Sequence, residues 1–229
     1  TAFTYDLDGK VQTVIVDGVA YADVDYDTVQ QLASVTYAGG SRLASVNRDP
    51  AGRVVGQSWS FPSATTVVDG VVRSQAGRIV QHTSTQGAAS QSSTYGYDGA
   101  GRLVSAAIPG HQLTYGYAGA GGCGPNTAAG MSGNRTSLTD VFTNKATSTV
   151  TTTSTAYCYD WADRLLSSTV SSPVAGANTV TDGLAGSEIV YDVRGNITQL
   201  ADMTFTYDAA NQHTGTVYAD GSTVAVLRD

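Results

Sequence analysis

The chain has 229 residues, a formal net charge of −7 and a pI near 4.7, with 12 Lys and Arg set against 19 Asp and Glu. That balance argues against nucleic acid or an anionic membrane as a partner, because both are bound through clustered cations. No apolar run approaches the ~20 residues that a bilayer-crossing helix requires, and no signal peptide opens the chain, so neither membrane insertion nor a leader is read here.

Taken in chain order, one phrase keeps returning. It first appears as Tyr5-Asp6-Leu7-Asp8-Gly9-Lys10-Val11, then as Tyr26-Asp27 leading to Gln30-Gln31-Leu32. Next come Arg48-Asp49-Pro50-Ala51-Gly52-Arg53-Val54 and Arg73-Ser74-Gln75-Ala76-Gly77-Arg78-Ile79, in which Arg stands where the phrase has Tyr. The fullest copy is Tyr97-Asp98-Gly99-Ala100-Gly101-Arg102-Leu103. Further copies are Tyr159-Asp160-Trp161-Ala162-Asp163-Arg164-Leu165, Tyr191-Asp192-Val193-Arg194-Gly195-Asn196-Ile197 and Tyr207-Asp208-Ala209-Ala210-Asn211-Gln212-His213. Positions equivalent to the Asp at 6, 27, 49, 74, 98 and 118 are 21, 22, 25, 24 and 20 residues apart, although at 118 the Asp is an Ala after Tyr117. A regular period of this size means one structural unit built many times.

Each part of the phrase has a physical task. Tyr95-Gly96-Tyr97 and Tyr115-Gly116-Tyr117 place rings at alternate positions, on one face of a strand. The Asp accepts backbone N–H groups in a local turn, and the Gly, or Asn211, takes up the left-handed conformation of a tight reversal. Arg102-Leu103-Val104 then starts a return strand. The phrase therefore predicts a β-hairpin turn of four residues with its flanks. A turn every ~20 residues leaves two strands of roughly seven, each about 23 Å long. The expected fold is all-β, with successive hairpins side by side in an antiparallel, curved or spiralling sheet.

Composition agrees with this reading. Of 19 aromatics 13 are Tyr, Gly is 26, and charged residues make up only 14%, which suits strands joined by tight turns. No stretch of 12 or more residues carries helical periodicity, so helix should be scarce. Residues 1–229 are read as a single repeat array.

Two segments interrupt it. From Tyr117 to Tyr159 the distance is 42 residues, about two units, and the segment holds the half-phrase Gly133-Asn134-Arg135-Thr136. Residues 118–133 are read as a repeat turn grown into a Gly-rich excursion. The Thr- and Ser-rich run from Thr143 to Thr155 is read as a strand pair with a polar outer face. Residues 171–187, with Pro173, Gly176, Gly183 and Gly186, are expected to be a loop. The only cysteines are Cys123 and Cys158. One bridge between them would tie the excursion to the strand leading into the Tyr159 turn; two unrelated buried thiols are the alternative.

These residues carry a resemblance. The chain resembles the Rhs/YD-repeat family, whose phrase Tyr-Asp-x-x-Gly-Arg-Leu is met in full from Tyr97 to Leu103 and closely at Tyr159 to Leu165 and Tyr5 to Val11. The likeness extends from Tyr5 to about Tyr218. It implies part of a hollow β-shell, as in bacterial polymorphic toxins, toxin-complex cocoons and teneurins. In the toxins that shell encloses a C-terminal effector, and the flanking repeats of the same polypeptide complete it. The resemblance also implies a secreted or surface protein of bacterial origin. A plug or secretion domain, a C-terminal core with an autoproteolytic aspartate and a variable toxin are family parts with no counterpart in this sequence. The chain begins mid-repeat at Thr1 and stops soon after Asp220-Gly221, so it is expected to be an internal segment. Asp49-Pro50-Ala51-Gly52 is superficially similar to the family's cleavage sequence but falls in register with the turns, and is read as a turn.

No catalytic constellation emerges. Gly119-x-Gly121-x-x-Gly124 matches the dinucleotide fingerprint in letters only, since Pro125 and Asn126 follow where a phosphate-binding helix should run. His82, His111 and His213 show no ligand spacing, and no Gly-x-Ser-x-Gly elbow is present. Asp23-Val24-Asp25-Tyr26-Asp27 is one carboxylate cluster, but Thr28 and Ser34 stand where an EF-hand has Gly and Glu. It is read as solvent-facing acids. No cofactor, metal or catalytic residue is expected. The preferred function is a non-catalytic wall around a toxin or effector. The alternative is an adhesive module that binds glycan or protein through exposed Tyr. Open strand edges would also permit self-association.

Overall fold

The computed structural model describes residues 1–172 and 183–227. Fifteen strands form one antiparallel sheet in sequence order, each bonded to the next. The first nine are β1 (Ala2–Tyr5), β2 (Val11–Val16), β3 (Val19–Tyr26), β4 (Leu32–Tyr37), β5 (Arg42–Arg48), β6 (Val54–Phe61), β7 (Ala64–Arg73), β8 (Ile79–Gln86) and β9 (Ala89–Tyr97). They are followed by β10 (Leu103–Ile108), β11 (His111–Gly116), β12 (Ser137–Asn144), β13 (Thr149–Tyr159), β14 (Leu165–Ser171) and the short β15 (Gly183–Leu184). A second antiparallel sheet contains β16 (Ile189–Tyr191), β17 (Ile197–Leu200), β18 (Met203–Tyr207), β19 (His213–Val217) and β20 (Thr223–Ala225). Among the described residues the one helical element is a single 3-10 turn, Ala129–Ser132.

The all-β hairpin array read from the sequence is the architecture found. Thr143 to Thr155 spans the β12–β13 hairpin, where Thr139 lies opposite Ser154 and Asn144 opposite Thr149. The predicted loop at 171–187 holds a two-residue strand, because Gly183 pairs with Thr169 and Leu184 with Ser168. Residues 173–182 of that segment lie outside the described residues.

By contacts the chain divides into two compact units, residues 1–96 with 107–109, and residues 97–106 with 110–229. In the first, strand alternation separates two chemistries. Ala22, Val35 and Leu43 are buried on one face, packed by Val14, Val24, Leu32, Tyr37, Val46 and Trp59. The other face is polar, with Thr13 Oγ1 donating to Asp23, Ser34 Oγ to Asp25, Arg42 to Ser34, and Ser45 Oγ bonded to Ser58 Oγ. The second unit buries Ala106, Ala129, Leu184, Ile189 and Ala201. These cores are thin. No large side chain among the described residues is sealed from solvent, so cohesion rests on strand ladders and on what joins one hairpin to the next.

Candidate functional site

The repeated turn is the recurrent chemical feature, and its aspartate organises it. Asp98 C=O accepts the N–H of Gly101 at 2.8 Å, and the Asp98 N–H donates to Arg102 C=O at 3.0 Å. The carboxylate then works twice: Oδ1 accepts the Arg102 N–H at 2.9 Å, and Oδ2 pairs with Arg102 Nε at 2.8 Å. Asp49 with Arg53 and Asp160 with Arg164 repeat this Nε pairing, each at 2.7 Å. Asn196 takes the Arg place beside Asp192, donating Nδ2 at 2.8 Å. Asp6, Asp27 and Asp208 cap the backbone two and four residues on without that ion pair. The fourth turn position is left-handed in every copy. Gly fills it at 9, 52, 77, 101 and 195, while Gln30, Asp163 and Asn211 adopt φ near +60° in its place.

These bonds hold the carboxylates ionised. Hydrogen bonding from the Arg102 backbone, then from its guanidinium, places the Asp98 carboxyl below the usual range. The Arg164 backbone does the same for Asp160, and the Asn196 side chain for Asp192. At Asp49 desolvation pulls upward, and the combined bonds from Arg53 and Ala51 outweigh it.

Seven of these turns also displace the strand register by one residue. Tyr5 pairs with Val11 but Thr4 with Thr13, and Tyr159 pairs with Leu165 but Cys158 with Ser167. The same bulge follows Tyr26, Arg48, Arg73, Tyr191 and Tyr207. An extra residue on the return strand adds local twist and re-aims the side chains beside it.

Sequence reasoning missed what the tyrosines do. The Tyr26 hydroxyl donates to Val11 C=O at 2.9 Å, Tyr117 to Leu103 at 3.1 Å, Tyr191 to Leu165 at 3.0 Å and Tyr207 to Ile197 at 2.9 Å. In each case the acceptor is the last residue of the preceding phrase. The cation just before it covers the same ring: Lys10 over Tyr26 at 5.0 Å, Arg102 over Tyr117 at 4.5 Å, Arg164 over Tyr191 at 5.0 Å. Each of these four tyrosines thereby bonds its phrase to the preceding one, forming a rung. Burial raises the pKa of the Tyr159 and Tyr191 hydroxyls, which keeps them donors. The available signal was the pairing of a phrase's Arg-Leu half with the next phrase's Tyr, at separations from 10 to 26 residues.

The excursion is one such rung pulled open. Tyr117 bonds back to Leu103, while the Tyr159 hydroxyl donates to Arg135 C=O at 2.8 Å and Arg135 lies over the Tyr115 ring at 4.2 Å. Residues 118–132 are therefore inserted between the Tyr half and the Arg half of a single turn. They dock in both directions: Arg102 Nη1 donates to Gly130 C=O at 2.7 Å, and Asn126 donates to Asp163 Oδ1 at 3.0 Å, which also accepts from Asn134 just beyond the insertion at 2.8 Å. Cys123 and Cys158 form a disulfide with Cα atoms 4.7 Å apart. Beside it, Gly124 approaches so closely that a Cβ would lie 2.7 Å from Tyr159 C=O.

The remaining polar features are local. Asp23 and Asp25 accept bonds from Thr13 and Ser34, Asp27 caps its own turn, and no group of three potential metal ligands occurs among the described residues. His82 pairs with Asp69 at 2.6 Å and His111 with Asp140 at 2.8 Å, both across neighbouring strands. Asp49-Pro50 lies in a turn bonded like the others.

No protein-family model matches the chain, and no curated protein matches it in sequence. Solved structures do match. The crystal structure of TcdB2-TccC3-TEV aligns over 94% of this chain at a TM-score of 0.55 and 14% identity. The two share a fold. The alignment covers 12% of the TcdB2-TccC3-TEV chain, so this chain spans about an eighth of its length. Structures of TcdB2-TccC3-Cdc42 and TcdB2-TccC3 align over 99% and 93% of this chain, at TM-scores of 0.46 and 0.47 and 13% identity each.

Proposed function

We propose that this chain is a non-catalytic structural segment of an Rhs/YD-type β-shell, walling off a toxin or effector carried by the same larger polypeptide. The observation that carries this reading is the ladder of rungs. Tyr26, Tyr117, Tyr191 and Tyr207 spend their hydroxyls on neighbouring carbonyls, and in three of these rungs a cation also covers the ring, so they form no open aromatic strip for a glycan. The fold shared with a stretch of the TcdB2-TccC3-TEV chain supports the same reading. On this proposal the partners are flanking repeats and an enclosed effector. The protein acts outside the cell or at its surface, where the Cys123–Cys158 bridge persists. No helix among the described residues is long and apolar enough to cross a membrane.

Limited proteolysis of the parent polypeptide tests the proposal. The effector resists added protease while these repeats are intact and is cut when they are deleted. Equal protection in both, or tight glycan binding by the intact protein, would move the reading to an adhesive module.

A further inference from the structure

The insert between Tyr117 and Arg135 is held by one covalent bond and very little apolar packing. Five of the residues 118–132 are glycine, and the one buried hydrophobic side chain among them is Ala129. The other ties are polar: the Asn126 N–H to Tyr159 C=O at 3.0 Å, Asn126 Nδ2 to Asp163, Arg102 to Gly130 C=O, and the Ala118 N–H to Thr136 Oγ1. Bonds of this kind are individually weak, because water replaces them once the segment lifts away. Ordering a glycine-rich backbone is costly in entropy. The crosslink therefore decides whether the insert stays docked.

That crosslink lies where a reductant can reach it. Cys123 is exposed, whereas Cys158 is half-buried in β13 beneath the backbone of Gly124, on which a Cβ would lie 3.3 Å from Cys158 Cβ. Thiol–disulfide exchange proceeds by attack of a thiolate on one sulfur while the other leaves, and access helps to select which is attacked. Here that sulfur belongs to Cys123. The sequence has no third cysteine, so the opened thiols have no other partner in the chain and re-form the same bridge. The strand ladders on either side, β12 with β13 and β13 with β14, do not pass through the insert. What the insert covers is the register shift between Cys158 and Tyr159, where Gly124 lies against the Tyr159 backbone.

We propose that the Cys123–Cys158 bridge is a latch operated by a dithiol reductant, which attacks Cys123 and releases residues 118–132 from the bulge in β13 while the ladders stay paired. The reductant's thiolate bonds to Cys123 Sγ, and Cys158 Sγ departs with the electron pair of the broken S–S bond and takes up a proton. The second thiol then displaces Cys123 as a thiol. The bridge thereby gains two electrons and two protons, and the reductant leaves as its own disulfide. The latch is closed in an oxidising compartment and open in a reducing one. It is independent of the shell reading, since it needs only this insert and its bridge.

Two measurements on the full chain test it. In the first, graded dithiothreitol is followed by brief subtilisin digestion and peptide mass analysis. Reduction is expected to speed cutting within 118–132 by about tenfold or more, leaving the β12–β13 hairpin and the first unit intact, and reoxidation restores resistance. Cys123→Ser with Cys158→Ser is cut at the fast rate with or without dithiothreitol; should that variant fail to fold, wild type reduced and then alkylated takes its place. In the second, the monothiol glutathione captures the first step. After acid quenching the adduct sits on Cys123, with the free thiol on Cys158, in roughly fivefold excess or more over the reverse. Unchanged resistance of 118–132 after reduction, or loss of the whole second unit at once, overturns the latch. An adduct shared equally, or one favouring Cys158, overturns Cys123 as its point of entry.

Discussion

The turn at Asp98–Arg102 and the open turn between Tyr117 and Arg135 perform the same task by different means. The first closes in four residues around a carboxylate that bonds the Arg102 backbone and guanidinium. The second has lost that aspartate and is closed by a disulfide, by Asn126 and Asn134 on Asp163, and by Arg102 on Gly130. Both still bond Tyr to a carbonyl of the preceding phrase and cover a ring with Arg. The rung is therefore the invariant. The turn is one of several ways to close it.

The comparison can be broken most strongly at the covalent tie. Replacing Cys123 and Cys158 together by Ser removes a crosslink over 35 residues and should cost about 3–4 kcal/mol of stability. Hydrogen exchange is expected to show lost protection in the second unit, with the Asp6 and Asp27 turns unchanged; unchanged protection around Tyr159 would show that the bridge does not hold the open turn. Intact mass before and after alkylation of unreduced protein from its native compartment checks that no free thiol is present.

A smaller effect is expected from Gly130→Ala, whose Cβ would lie 2.2 Å from Ala118 C=O. A backbone clash of this kind should cost at least about 2 kcal/mol, acting on the open turn and on the bond that Arg102 makes to Gly130 C=O. In the compact turn, Gly101→Val should cost more than about 1 kcal/mol, because φ there is +79°. Gly99→Ala meets nothing within 4 Å and should be close to neutral, so equal melting of the two variants would refute the assigned turn geometry.

Acid gives the gentlest separation. Asp98, Asp160 and Asp192 have folded pKa values below the model-compound 3.8, so their contribution is present above the unfolded pKa and is lost as pH falls through the folded values. Amide protection at these compact turns should therefore fade below about pH 4, while the disulfide-closed excursion, which has no such aspartate of its own, keeps its protection at Gly122 and Asn126, whose N–H groups donate to Thr127 and Tyr159 carbonyls. Simultaneous loss in both would mean that the carboxylates are not what closes the compact form.

Much of this was legible in the sequence because the turn is local. Tyr97 to Leu103 contains donor, acceptor and left-handed position within seven residues, so Asp98, Gly101 and Arg102 could be given roles before any coordinates. The rungs were not legible in the same way. Tyr191 finds Leu165 across 26 residues while Tyr207 finds Ile197 across 10, and no fixed spacing announces a bond made between strands. The bulge is silent too, since the residues it displaces, such as Ala33 and Leu166, have no shared type. Asp163 stands where most copies of the phrase have Gly, and only the fold reveals that its side chain receives Asn126 of the excursion and Asn134 of the half-phrase that follows it.

The opened turn has a practical meaning. Because closure depends on Tyr117 at one end and Arg135 at the other, the length of chain between them is free to vary so long as its two ends come back to the same place. Loop closure grows only slowly more costly with length, about 0.6 kcal/mol for each doubling. Such a turn is a socket in the sheet, into which new surface can be grafted without rewriting the strands that carry it.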